Sequence, residues 1–335
     1  MKASVTIAQI GTGYWGPNLL RNLISNERCK VKIVVDISKE RRAVVKRLYP
    51  SVHVSNSIDD ILDDSEIDAV VIATPVSTHF ELAIKLLEAG KHILVEKPMA
   101  RTVEEVEQIE FLSLKKNLVA MVGHTFLYNS AVRYVKKVID SGDMGDIRYV
   151  YSQRLNLGRI RSDVDALWNF APHDISIIQY WLNDPVPYRV TREGMGYVQN
   201  GVDDVVFLNI IYANNVLANI HVSWLDPHKI RKITIVGSKK MVVYDDIAEN
   251  KIAIYDKGID IMADLGNNMD FDCPEDFSFN HRSGNVFLPK IDWQEPLKVE
   301  IDHFVECILK GIDCLTGVKH AKEVVKILSK GSYNS

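Results

Sequence analysis

Gly11-Thr12-Gly13-Tyr14-Trp15-Gly16 has the G-x-G-x-x-G spacing that lets a main chain approach a pyrophosphate. Gly11 suits a tight turn, Gly13 admits the phosphates to the backbone, and Gly16 lets a helix pack on a strand. The first N–H groups of that helix would meet the anion. Asp36 follows Gly16 by 20 residues, at the end of a second apolar run. A carboxylate there can accept ribose hydroxyls and repels a 2′-phosphate, so NAD is expected over NADP. Arg41 and Arg42 stand close enough in sequence to soften that preference.

Four further patches carry polar chemistry. They are Ala73-Thr74-Pro75 with His79 four residues on, Glu96-Lys97-Pro98, Gly123-His124, and Asn169-Phe170-Ala171-Pro172-His173-Asp174. Taken singly, Lys97 reads as a surface lysine paired with Glu96, and His173 as a structural histidine. Arg154, Asn156, Arg159 and Arg161 cluster before Trp168. Guanidinium forks chelate phosphate oxygens, so a diphosphate is one guest and a solvated basic loop the other reading.

Nearly continuous apolar runs at 6–10, 32–36, 69–73, 92–96 and 118–122 suit strands buried on both faces of a parallel sheet. Helical spacing fills the gaps: Leu19, Leu20, Leu23 and Ile24 after Pro17, then 82–88 stopped by Gly90, then Val103 to Leu112. Thr102 and Glu105 form a capping-box pattern at the start of the last. This alternation predicts a doubly wound α/β domain over 1–122. From 123 to 335 the pattern changes to hairpins. Runs at 205–212 and 216–224 flank Asn214-Asn215, a type I′ candidate, and runs at 230–236 and 241–244 flank Gly-Ser-Lys-Lys. Residues 258–296 read as loop, and the chain ends in helices. An antiparallel sheet with one face open makes a homodimer or homotetramer the expected assembly.

The 335 residues hold 40 Lys or Arg against 44 Asp or Glu, a net charge of −4 that argues against a nucleic-acid surface. The N-terminus lacks a signal-peptide pattern and no apolar run is long enough to span a bilayer, so a cytoplasmic chain without a membrane partner is expected. Cys29, Cys273, Cys307 and Cys314 are scattered, with no His read at metal-ligating spacing. Reduced thiols and no metal are therefore expected.

GTGYWG, Asp36, ATP at 73–75 with His79, and EKP at 96–98 together resemble the glucose–fructose oxidoreductase/inositol dehydrogenase family along the whole chain. The resemblance implies an N-terminal Rossmann domain and a C-terminal α+β domain built on a large, mostly antiparallel sheet. It implies oxidation or reduction of a sugar or polyol carbinol with NAD, with Lys97 and His173 as the catalytic pair. Tyr14, Trp15, Thr74, Pro75, His79, Glu96 and Lys97 would join the glycines and Asp36 around the cofactor. His124, Arg154, Asn156, Arg159 and Asn169 would join Lys97 and His173 around the substrate. Many members carry Asp four residues before the His; here it is Asn169, which is similar to the UDP-N-acetylglucosamine and UDP-N-acetylglucosaminuronate 3-dehydrogenases. A small-molecule nucleotide sugar is thus the expected substrate. Another sugar or polyol, or a dinucleotide-sensing regulator without catalysis, are the alternatives.

Overall fold

The computed structural model describes residues 4–158, 160–162, 164–263 and 277–331. The chain forms two compact units, residues 1–129 with 293–335, and residues 130–292.

In the first unit β1 (Val5–Ile10) leads to α1 (Gly16–Ser25), and β2 (Cys29–Val35) to α2 (Lys39–Leu48). Next come β3 (His53–Ser55), α3 (Asp59–Leu62), β4 (Ala69–Ile72), α4 (His79–Glu88), β5 (His92–Glu96), α5 (Val103–Lys116) and β6 (Ala120–Gly123). The strands pair in parallel in the order β3-β2-β1-β4-β5-β6, the doubly wound arrangement. Helices cover both faces, which is why Val70, Val71, Ile72, Ile93 and Val95 are fully buried. Both bonds of the expected capping box between Thr102 and Glu105 are present. The sequence reading passed over β3 because three residues with one apolar side chain make no run.

The second unit begins with α6 (Ser130–Asp140), β7 (Ile147–Leu155) and α7 (Ala166–Trp181). Seven strands follow: β8 (Pro187–Met195), β9 (Val205–Tyr212), β10 (Leu217–Ser223), β11 (Ile230–Gly237), β12 (Met241–Asp245), β13 (Ile252–Ala263) and β14 (Phe277–Phe287). They form one sheet in the order β14-β13-β12-β11-β7-β10-β9-β8, antiparallel except between β7 and β10. Two local expectations are corrected. The β9–β10 turn has only Asn215 in the left-handed region (φ 62°), with Asn215 N–H donating to Tyr212 O. That is a type I turn closed by one left-handed residue, not type I′, which needs two. Parts of the expected 258–296 loop are the β13–β14 hairpin; glycines at 258 and 284 and a run of exposed residues from 281 hide its alternation.

The final helices, α8 (Pro296–Lys310) and α9 (Val318–Lys330), belong to the first unit. Leu297, Ile301, Phe304 and Val305 of α8 pack with Val5, Ile7, Leu19 and Leu23. Val318, Ala321 and Val325 of α9 fill the core on the other face of the sheet. The expected division at 122/123 is therefore corrected: the second unit is an insertion, and the first closes with the chain's end. An apolar stripe shows that a helix packs, but not on which core.

Candidate active site

The residues expected around a dinucleotide gather at the carboxyl ends of the parallel strands. Ile10 pairs with Val35 and Ile72, Ile72 with Val95, and Glu96 with Gly123, so the turns after these strands share one edge. Ligands bind at that edge in open α/β sheets. Gly11 sits at φ 90°, and a Cβ on it would lie 2.6 Å from Ala73 O. At Gly16 a Cβ would lie 2.5 Å from Gly11 O, so the glycine lets α1 start against the turn. Over Gly13 a Cβ would meet only the Arg41 side chain, at 3.6 Å, among the described residues. No described side chain caps α1, which leaves its first turn to an anion. Open backbone at Gly13 and an uncapped helix start fit a pyrophosphate.

Asp36 is buried, and Thr12 donates to its Oδ2 from both N (2.7 Å) and Oγ1 (2.8 Å). Ser38 N–H donates to Oδ1 at 2.8 Å. Burial alone would raise this carboxyl. The Ser38 and Thr12 donors and the Arg41 charge outweigh it and hold Asp36 below the usual carboxylate range. Three of roughly four acceptor positions are used by the protein, so one is left for a ribose hydroxyl unless Thr12 yields. Arg41 Nη1 lies 3.9 Å from Oδ2, whereas Arg42 donates to the carbonyls of Asp36 and Ile37. Of the two arginines, only Arg41 faces the carboxylate.

Thr74 and Pro75 form the turn after β4, with Thr74 Oγ1 hydrogen-bonded to Thr78 Oγ1 at 2.7 Å. His79, expected beside the cofactor, is buried between the turns after β4 and β5. The ring is 1% exposed, with Nδ1 facing Pro98 O and Nε2 facing Thr74 O, both at 2.9 Å. Burial pushes its pKa down against the pull of these carbonyls. His79 clamps the turn after β4 to the turn after β5. Tyr14 is 94% exposed, and Trp15 reaches inward, its side chain bonding to Glu96.

Glu96 and Lys97 end β5, and Lys97 is half-buried. The Glu96 carboxyl also accepts Lys97 N–H at 3.2 Å, and a Cβ on Gly123 would come within 3.2 Å of its Oε1. Burial pushes Glu96 up to about 7, against the Lys97 charge and the two donors. Glu96 thus holds the main chain at Lys97. His124, expected beside the substrate, is buried as well. Its ring is 1% exposed, stacks edge-on against His320 at 5.4 Å, and is kept neutral by burial and by the charges of His320 and Lys97. No hydrogen-bond partner reaches its Nδ1 among the described residues.

Glu300 on α8 belongs to this site and was missed in the sequence. It is fully buried, accepts Thr125 Oγ1 on Oε2 at 2.8 Å, and has no partner on Oε1 among the described residues. Burial and the neighbouring Glu96 push its carboxyl well above the usual range. A signal was present: Glu300 interrupts the stripe Leu297, Ile301, Phe304, where a charge is out of place.

In the second unit Asn169 and His173 lie four residues apart on α7 and so share a face. Asp165 caps this helix through Trp168 N–H (2.8 Å), and Arg192 ties Asp165 to Asp203. Arg154 is corrected as a phosphate contact. The alternation of β7 sends it to the buried face with Val150 and Ser152, under α7. There its Nε and Nη2 donate to the two oxygens of Asp174, at 2.8 and 3.1 Å. Burial works against the guanidinium charge, but Asp174 more than offsets it and raises the Arg154 pKa. The pair anchors the residue next to His173. Asn156 follows β7, its N–H donating to Ser223 O at 3.2 Å; Arg161 is exposed, and Arg159 lies outside the described residues.

Strand order, glycine turn and acidic strand end define an NAD-binding Rossmann oxidoreductase. Residues 5–124 match the family described as "Oxidoreductase family, NAD-binding Rossmann fold", and residues 132–243 match the GFO/IDH/MocA C-terminal domain. The chain belongs to the Gfo/Idh/MocA oxidoreductase family, which bears out the resemblance and the fold expected from it. The family model describes an NAD-binding oxidoreductase, and the relatives include dehydrogenases of scyllo-inositol, UDP-N-acetylglucosamine and levoglucosan. A UDP-N-acetylglucosamine 3-dehydrogenase of Acidithiobacillus ferrooxidans is 29% identical over 67% of this chain and 69% of that protein. A solved structure of that activity from the same species, GnnA, superposes with a TM-score of 0.81 at 21% identity, covering 98% of this chain and 96% of the other. GenD2 from gentamicin A biosynthesis, solved with NAD, has a TM-score of 0.81 at 20% identity, over 99% and 94%. These two structures share the fold. Against eight curated relatives the matched stretch spans 36–69% of their length. No helix among the described residues is long and apolar enough to cross a membrane.

Proposed function

We propose that this protein oxidises a nucleotide-activated amino sugar at C3, with UDP-N-acetylglucosamine or its uronate as substrate. The observation that carries the chemistry is Lys97, placed at the strand edge that holds Gly13 and Asp36 and backed by the carboxyl of Glu96. Gly11, Gly13 and the start of α1 would hold the pyrophosphate, and Asp36 a ribose hydroxyl. Bound NAD supplies the hydride acceptor. Lys97 hydrogen-bonds the carbinol oxygen and stabilises the alkoxide charge that develops on it. His173 takes the hydroxyl proton as the general base. Asn169, one turn before, is an uncharged neighbour for His173 where an aspartate would charge-assist it. The choice of sugar is supported by that asparagine and by the 29% identical relative. We further propose a homo-oligomer, with the open face of the second sheet, where Tyr149, Tyr151, Phe207 and Leu217 are exposed, as the contact.

One observation favours a free sugar or polyol instead. Arg154, which argued for a diphosphate, is consumed by Asp174. A panel of UDP-sugars, free N-acetylglucosamine and inositols, followed by the near-ultraviolet absorbance of reduced cofactor, separates the readings. Turnover of the UDP-sugar with competitive inhibition by UDP is expected. Equal turnover of free N-acetylglucosamine, or no competition by UDP, assigns the enzyme to free sugars; no turnover across the panel favours a regulator.

A further inference from the structure

The last turns of α8 and the connection to α9 bring three soft ligands together, beginning one turn after Glu300. His303 and Cys307 stand four residues apart on α8 and so share a face, a helical spacing the sequence reading passed over. The connection then returns Cys314. His303 Nε2 and the two Sγ atoms all lie within 4.8 Å of one another, and Nε2 is 3.5 Å from Cys307 Sγ. A nitrogen and a sulfur bound to one tetrahedral zinc ion stand about 3.6 Å apart, so this pair is already at coordination spacing. Leu315 N–H donates to Nε2 at 2.9 Å, which selects the neutral tautomer with its lone pair on the nitrogen beside the thiols. All three described cysteines are free thiols.

We propose that His303, Cys307 and Cys314 form a binding site for a thiophilic divalent cation, zinc being the natural probe. The third group, His303 Nε2 within 4.8 Å of both sulfurs, supplies the nitrogen donor that a bare thiol pair lacks. Two thiolates and one imidazole make a borderline-soft ligand set that prefers zinc to magnesium or calcium. Cys307 is 1% exposed, while His303 and Cys314 are half-buried, so the ion enters from their side and a water completes its shell. Loading exchanges the Leu315 hydrogen bond for a coordinate bond and releases the thiol protons.

The ion would fasten the end of α8 to the strand it packs beside. Thr316 O accepts Val122 N–H at 2.9 Å, Gly317 bridges Met121, and the Tyr128 hydroxyl meets Thr316 Oγ1 at 3.0 Å. Zinc should therefore stabilise the first unit without joining the reaction.

The test is titration of the reduced full-length chain with cobalt(II), followed by displacement with zinc. One equivalent should give thiolate-to-cobalt charge-transfer bands with the intense visible bands of a tetrahedral ion. Zinc should abolish them and raise Tm. Cys314→Ser and His303→Gln, at half-exposed positions, should each weaken zinc in chelator competition by at least about 100-fold, the upper end of what a lost ligand support alone does. Cys29→Ser should leave it unchanged, and calorimetric NAD binding should be unaltered in every variant. Cobalt bands without thiolate character, full zinc affinity in either variant, or a Cys307–Cys314 disulfide that forms equally fast with zinc present would overturn the proposal.

Discussion

Glu96→Gln tests whether Lys97 is backed by a carboxyl that burial keeps from ionising. The folded Glu96 is pushed up from an ordinary 4.5 to about 7. A carboxyl raised on folding adds stability below its unfolded pKa, and that stability is lost as pH climbs through the folded value. Between pH 5 and pH 8 the wild type should lose roughly 2–3 kcal/mol through this one group. Glutamine keeps the size and an acceptor for Trp15 and the Lys97 N–H but cannot ionise, so its stability should not carry this loss. Glu300, itself raised by burial and by Glu96, changes the comparison in the same direction and makes the figure a lower bound. Urea unfolding of both proteins without cofactor, at several pH values across that range, gives the difference directly. A wild-type minus variant difference that stays flat with pH would refute the buried-acid account.

Lys97→Met and His173→Ala should each lose about two to four orders of magnitude in kcat while still binding NAD by calorimetry. Near-normal turnover in either removes that residue from the mechanism. Asp36→Ala should weaken NAD by about tenfold or more, one charged hydrogen bond, and narrow the preference over NADP. Tighter binding of NADP than NAD by the unaltered protein would contradict the role given to Asp36. Arg154→Ala should cost about 3–5 kcal/mol of stability by stranding Asp174, and Arg154→Met with Asp174→Leu should recover much of it. A KM rise for a UDP-sugar with no stability loss would instead restore Arg154 as a substrate contact.

The glycine turn, Asp36 and the end of β5 were legible in the sequence because each is a local event. A continuous apolar run must be a covered strand, and a polar motif directly after it must emerge at the strand's carboxyl end. Hairpins were legible for the same reason, except where a mostly exposed stretch lacked alternation, as at 281–287 of β14. His79, Glu96 and His124 were placed in the right neighbourhood, but their partners within the protein were not legible. Their motifs mark the edge of the sheet, whereas the direction of each ring or carboxyl depends on what is packed behind it.

By itself the sequence determined the class of fold, the dinucleotide turn and the lysine at the strand edge, since all follow from periodicity and neighbours within a few positions. Tertiary structure alone decided which core the last two helices fill and what lies beneath the site. Glu300 reaches Thr125 across 175 positions, and Arg154 finds Asp174 across 20. No local rule selects such partners. The choice rests on the burial of a charge or an acid that must then be paired or neutralised, and burial is a property of the assembled core.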